Sequence, residues 1–220
     1  MDKLRMRFSK TGRAVWISHL DLMATMQRAF SRSGNRLQYS EGFNPRPLIS
    51  IALPLSVGMS SSCELMDFRT AGEVDITNLP KALNAVLPEG IEVLEIYRPE
   101  RKFIEIKWLD LEGIFEYDSG EVNIISKQLR SFFSRDTIVT EKKTKRGLAE
   151  TDIRPAIRSL VFAPSGEGKI AVRALLSAQE PTLNPSLLQS ALRSAGDVPA
   201  PDFAFFSRLE TYDEKMQVFR

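Results

Sequence analysis

His19 is the only histidine in this 220-residue sequence. It is therefore the one side chain whose ordinary pKa, about 6.5, lies near neutrality. It stands in SHLDL, where Ser18 and Asp21 make the S-x-x-D pattern that opens a helix. A helix N-terminus favours the neutral, base-competent ring. Positions 19, 23, 26 and 30 also share one helical stripe, so the same ring could simply cover the edge of a core. No Ser or Cys nucleophile motif frames His19, and a hydrolase triad is not supported. Cys63 is the only cysteine, so the chain alone cannot supply the Cys/His set of a structural zinc or the thiolates of an iron–sulfur cluster. The expectation is no metal and no cofactor.

A second group of residues has the chemistry of polyanion recognition. In Ser40-Glu41-Gly42-Phe43-Asn44-Pro45-Arg46-Pro47 two prolines stiffen a loop that offers an aromatic ring, Phe43, and a cation, Arg46. Such a loop suits base stacking beside a phosphate. The alternative is that Phe43 plugs the core and the prolines shape the exit; the recognition loop is the preferred reading. Ser56–Ser62 is Gly/Ser-rich and could offer amides to a phosphate, but it lacks the lysine and spacing of a P-loop. Further on, Lys142, Lys143, Lys145 and Arg146 would form the basic tip of a β-hairpin. Arg154 and Arg158 stand at i, i+4 in DIRPAIR, where they could clamp one anion. Phe43, Arg46, Lys142, Lys143, Lys145, Arg146, Arg154 and Arg158 are therefore the expected RNA-binding residues.

The charge distribution agrees with two basic surfaces separated by an acidic one. Residues 1–50 carry nine Lys/Arg against three acids, and residues 51–126 carry six against fourteen. Residues 127–158 return to nine against four, yet the net charge is only +2.

The elements that must position these residues can be read from periodicity. LRMRFS alternates like a half-buried strand, and Leu22, Met23, Met26, Ala29 and Phe30 make a helical stripe running to a stop at Gly34. ISIALPL and CELMDFRT read as strands, although Pro54 removes a backbone donor near the end of the first. A helix with Leu79, Leu83, Val86 and Leu87 follows, capped by Asn78 or Thr77, and IEVLEIYR is a strand. The second half reads in the same order. The stretch from Phe103 is a strand or hairpin, EVNIISKQLRSFFS is a helix, and TIVTEKKTK and KIAVRALLS are strands. Asn184 caps a further helix that Pro185 starts, and FAFFSRLETY closes as a strand. The expected fold is α+β: two tandem ferredoxin-like (βαββαβ) domains with antiparallel sheets, spanning 1–98 and 103–220. A single α+β domain with one sheet is the alternative.

The segments SHLDL, SEGFNPRP and ALPLSVG within residues 8–68, with DIRP at 152–155, resemble a bacterial radical-SAM-associated family of unknown function. Its members occur beside, or fused behind, a B12-binding-type radical SAM protein. The resemblance implies a radical SAM partner and a cytoplasmic setting, and it carries no catalytic residues over. The cytoplasm also fits one unpaired cysteine and an N-terminus, MDKLRMRFSK, without a signal-like apolar segment. No apolar run approaches the roughly 18–20 residues that span a bilayer.

A more distant similarity is to the repeat-associated RNA-processing proteins of CRISPR systems, which pair two ferredoxin-like domains. Some of them cut RNA with a histidine as base. DVPAPDF stands here where their Gly-rich loop would be. The expectation is an accessory without catalytic activity of its own, which binds RNA and presents it to a radical SAM partner. The alternatives are a metal-independent endoribonuclease with His19 as general base, and a protein-only adaptor.

Overall fold

The computed structural model describes residues 3–144 and 147–220, with no side-chain account of Lys143 and Thr144. The chain is α+β, and it divides into two compact units. The first runs to Phe103 and takes in Arg220; the second is Ile104–Phe219.

In the first unit, β1 (Leu4–Lys10) buries Leu4, Met6 and Phe8 on one face, as LRMRFS implies, and also buries Arg5 and Lys10. After a 3-10 turn at Gly12–Trp16, α1 (His19–Arg32) starts at the expected cap. The Ser18 hydroxyl oxygen accepts from the Asp21 amide at 3.2 Å, and its O–H donates to the Asp21 carboxylate at 2.7 Å. Next come β2 (Ile49–Ile51), β3 (Ser60–Phe68), α2 (Leu79–Asn84) and β4 (Ile91–Tyr97). β4 pairs with β1, β1 with β3 and β3 with β2, all antiparallel. Leu4, Met6 and Phe8 of β1 pack with Leu22, Met26 and Phe30 of α1 and Leu79 and Leu83 of α2. Since side chains alternate along a strand, Arg5 and Arg7 of β1 face the opposite side.

One expectation for this unit needs correction. The strand in ISIALPL is short: β2 ends at Ile51 and the Ala52 amide still donates to the Leu65 carbonyl at 2.9 Å, but Leu53 then takes the left-handed φ of 45° and Pro54 follows it. Asn78 stands at the N-cap of α2, one of the two residues expected there, although its side chain makes no cap hydrogen bond. Asp75 braces the turn before it, its Oδ1 accepting from the Thr77 backbone amide at 3.0 Å and its Oδ2 from the Asn78 side-chain Nδ2 at 2.6 Å.

In the second unit, β5 (Trp108–Glu116) and α3 (Val122–Phe133) come first. A hairpin of β6 (Val139–Thr144) and β7 (Gly147–Asp152) follows. Then come β8 (Ile157–Pro164), β9 (Lys169–Ser177), α4 (Ser186–Ala195) and β10 (Phe203–Tyr212). β10 pairs with β5, β5 with β9 and β9 with β8, again antiparallel. TIVTEKKTK pairs within its own hairpin, as the expected hairpin at 142–146 requires, and the strand beside KIAVRALLS is β8, which the sequence reading did not single out. Phe115 anchors the core, with Phe162 at 6.0 Å and Phe206 edge-on at 5.9 Å. Phe206 is admitted by Gly113 opposite it, where a Cβ would sit 2.6 Å from the ring.

Candidate nucleic-acid interface

Residues 38–48 form a loop fastened at its neck. The Leu48 amide donates to the Gln38 carbonyl at 2.8 Å, and Tyr39 and Pro47 form an antiparallel bridge. One step further out, the Ser40 amide donates to the Arg46 carbonyl at 2.8 Å. The Arg46 amide returns a bond to the Ser40 hydroxyl oxygen at 3.0 Å. The tip turns through Gly42, whose φ of 115° suits only a residue without Cβ. Phe43 is fully exposed there, and Arg46 is exposed beside the latch. Phe43 therefore does not plug the core, and that alternative is set aside. Tyr39, at the neck, is half exposed, a second ring that the sequence reading did not single out.

The Ser56–Ser62 turn is largely committed elsewhere. The Gly58 amide donates to Val15 at 2.9 Å and the Met59 amide to Ser56 at 3.2 Å. His19 opens α1 with its ring part-buried, and its Nδ1 is buried without a hydrogen-bond partner among the described residues. Its surroundings include exposed apolar neighbours in sequence, Trp16 and Leu20. Among the described residues no group of three or more His, Cys, Asp or Glu side chains could hold a metal ion.

The remaining cations lie in the second unit. Lys142 is on β6 and its Nζ donates to the Thr182 carbonyl at 3.2 Å. Lys145 and Arg146, at the hairpin tip, lie outside the described residues, as does the side chain of Lys143. Arg154 sits in a 3-10 turn (Arg154–Ala156), where its Nη1 donates to the Ile157 carbonyl at 2.9 Å. Arg158 is on β8 with its guanidinium 5.0 Å from the Trp108 ring centre. A turn and a strand thus hold the two arginines, in place of the single helical face that i, i+4 spacing would give. Each has a neighbour inside its own unit.

The chain belongs to a bacterial family, described as "Uncharacterized protein conserved in bacteria (DUF2344)", whose model matches residues 3–185. No curated protein matches it. Among solved structures it is similar to a chain of the crystal structure of a Cbf5-Nop10-Gar1 complex, with a TM-score of 0.53 and 9% identity. That match covers 96% of this chain and 50% of the other, so the chain spans about half the length of that relative. At such identity the likeness concerns the fold alone. A putative glycine cleavage system transcriptional repressor matches at 13% identity over 94% of this chain and 97% of the other. Its TM-score of 0.25 is too low to argue from. No helix among the described residues is long and apolar enough to cross a membrane.

Proposed function

We propose that this protein is an accessory RNA-binding protein that presents an RNA or ribonucleoprotein to a radical SAM partner in the cytoplasm. The observation that carries the RNA half is the latched loop with Phe43 fully exposed at its tip and Arg46 beside it. Leaving a phenyl ring in water is unfavourable unless a partner covers it, and a base stacked on such a ring contributes about 1–3 kcal/mol. The basic segments 1–50 and 127–158 supply the electrostatic attraction. The radical SAM partner comes from the resemblance in SHLDL, SEGFNPRP, ALPLSVG and DIRP, and the cytoplasm from it and from a single, buried cysteine. Each unit is read as ferredoxin-like because its four sheet strands, counted along the chain, lie in the order 4-1-3-2.

Fluorescence anisotropy with structured RNA across a salt series tests this reading. Affinity is expected to fall with salt and to drop in Phe43→Ala and Arg46→Glu. Binding no tighter than about 10⁻⁶ M at physiological salt, or no loss in those variants, ends the proposal. The part-buried His19, with its unpartnered Nδ1, keeps a second reading in view, a metal-independent endoribonuclease. That reading requires RNA cleavage in EDTA that His19→Ala abolishes. A protein-only adaptor requires co-purification with the radical SAM protein that survives RNase, without RNA binding.

A further inference from the structure

Backbone register gathers three exposed arginines on one face at the neck of the 38–48 loop. Leu37 bridges Thr70, just past β3, with the Gln38 amide donating to the Arg69 carbonyl at 2.9 Å and the Ala71 amide to the Arg36 carbonyl at 2.8 Å. On its other side the same segment bridges Pro47 through Tyr39, which sets Ser40 opposite Arg46. Leu37 joins the core under α1 and α2. Side chains alternate along such a ladder, so Arg36, Arg69 and Arg46 share the sheet face away from the helices. All three are exposed, and no side chain among the described residues pairs with their guanidinium groups.

The neighbouring row on this face runs Tyr97, Arg5, Asp67 and Ser50 across β4, β1, β3 and β2. Its carboxylate, Asp67, is already met by Arg5 Nε at 2.6 Å and by Lys3 Nζ at 2.9 Å, so it does not neutralise Arg69. Arg36, then Arg69 opposite Gln38, then Arg46 opposite Ser40 follow one another in steps of two strand residues, about 6.6 Å each. That step is comparable to the distance between neighbouring phosphates of one nucleic-acid strand. The row leads to the loop tip, where Phe43 stands fully exposed. A base inside a duplex has both of its faces covered by its neighbours. Only an unpaired or terminal base has a face to lay on that ring.

We propose that this face binds single-stranded RNA, its backbone tracking Arg36, Arg69 and Arg46 and one unpaired base stacked on Phe43. Each guanidinium offers two parallel N–H donors to the oxygens of one phosphate. Cations along the backbone with an aromatic platform for a base are the general means of holding a single strand without reading its sequence. The inference rests on the RNA-binding reading and narrows it: the bound strand is unpaired, and Arg36 and Arg69 join Arg46 on its phosphates.

Fluorescence anisotropy on the full chain tests it with an unstructured RNA strand, the same strand annealed to its complement, and inorganic polyphosphate as competitor. The single strand is expected to bind about tenfold more tightly than the duplex, the contribution of one stacked base. Each phosphate neutralised on a single strand contributes about 0.7 to the slope of log K against log salt, so Arg36→Gln and Arg69→Gln should each reduce the slope by about that amount. Phe43→Ala should weaken the single strand about tenfold and leave the slope unchanged. Lys81→Gln on α2, which packs on the other face of the sheet, should alter neither. Duplex bound as tightly as single strand, a slope indifferent to both Gln variants, or polyphosphate competing as well as RNA overturns the inference. If structured RNA still binds in that case and still weakens in Phe43→Ala and Arg46→Glu, the RNA-binding reading survives. RNA bound no tighter than the non-specific range ends both.

Discussion

Ser40 and Arg46 close their loop on each other, exchanging backbone and hydroxyl hydrogen bonds of 2.8 and 3.0 Å across a five-residue tip. The bonds fasten the strand-like neck, so Phe43 is held out in solvent by geometry rather than by contacts of its own ring. If this ordering matters for binding, loosening the tip should weaken RNA without unfolding the chain. Gly42→Ala adds a Cβ that meets nothing within 4 Å, so its whole effect comes from the φ of 115°, a strain of about 1–2 kcal/mol. Ser40→Ala removes the acceptor of the Arg46 amide. In both variants that amide should exchange hydrogen faster and RNA affinity should fall, while global stability drops by no more than about 1–2 kcal/mol. An Arg46 amide protected as before in Ser40→Ala would show that the latch is not what orders the tip.

Two ion pairs on β1 should respond very differently to loss of the acid. Arg5–Asp67 is buried on both sides, whereas Arg7–Glu95, also at 2.6 Å, is partly solvated. Asp67→Asn leaves a buried guanidinium without its counter-charge and should cost about 3–5 kcal/mol in urea unfolding. Glu95→Gln should cost about 0–1 kcal/mol, since water replaces most of what the pair supplies. Equal costs would mean that the Arg5 row is far wetter than its burial implies.

Much of this architecture is legible in the sequence wherever one face of an element is buried. β1, α1, α3 and β10 all declare themselves, because their apolar residues recur at the period of two or of 3.6. β8 does not. Only Ile157 and Phe162 of its eight residues are buried, and the segment ends on Pro164, so alternation is too faint to separate it from loop. β7 exposes most of its length and leaves no periodic trace at all. At the candidate interface the loop and its residue types are readable. The direction of Phe43 is not, because an aromatic between prolines suits a plug or a tip equally well.

Tyr117 should make the protein lose stability in alkali. Its hydroxyl donates to the Pro199 carbonyl at 3.3 Å, and burial first, then the Asp202 carboxylate, pushes the phenol well above its ordinary range. The folded state thus keeps the proton while the unfolded chain releases it near pH 10. A group raised in this way contributes stability that is fully present below about pH 10 and declines as the pH climbs beyond it. Tyr117→Phe cannot ionise, so its unfolding free energy should fall less steeply between about pH 9.5 and 11 than that of the parent. Parallel curves in chemical denaturation across that window would refute the assignment.

Gly113 and Phe206 should behave as a coupled pair. A Cβ at position 113 would lie 2.6 Å from both the Phe206 ring edge and the Phe205 carbonyl oxygen, closer than real side chains approach. Gly113→Ala should therefore destabilise the second unit by about 1–3 kcal/mol, although alanine itself suits a strand no worse than glycine does. Phe206→Leu alone should also destabilise it, by removing the edge-on contact with Phe115 and part of a buried ring. The double variant should be more stable than the sum of the two losses, because the smaller leucine makes room for the methyl group. Recovery should stop short of complete, since the Phe205 carbonyl belongs to the β10–β5 ladder and cannot retreat without breaking it. Strict additivity in the double-mutant cycle would mean that the backbone contact, and not the ring, sets the requirement for glycine.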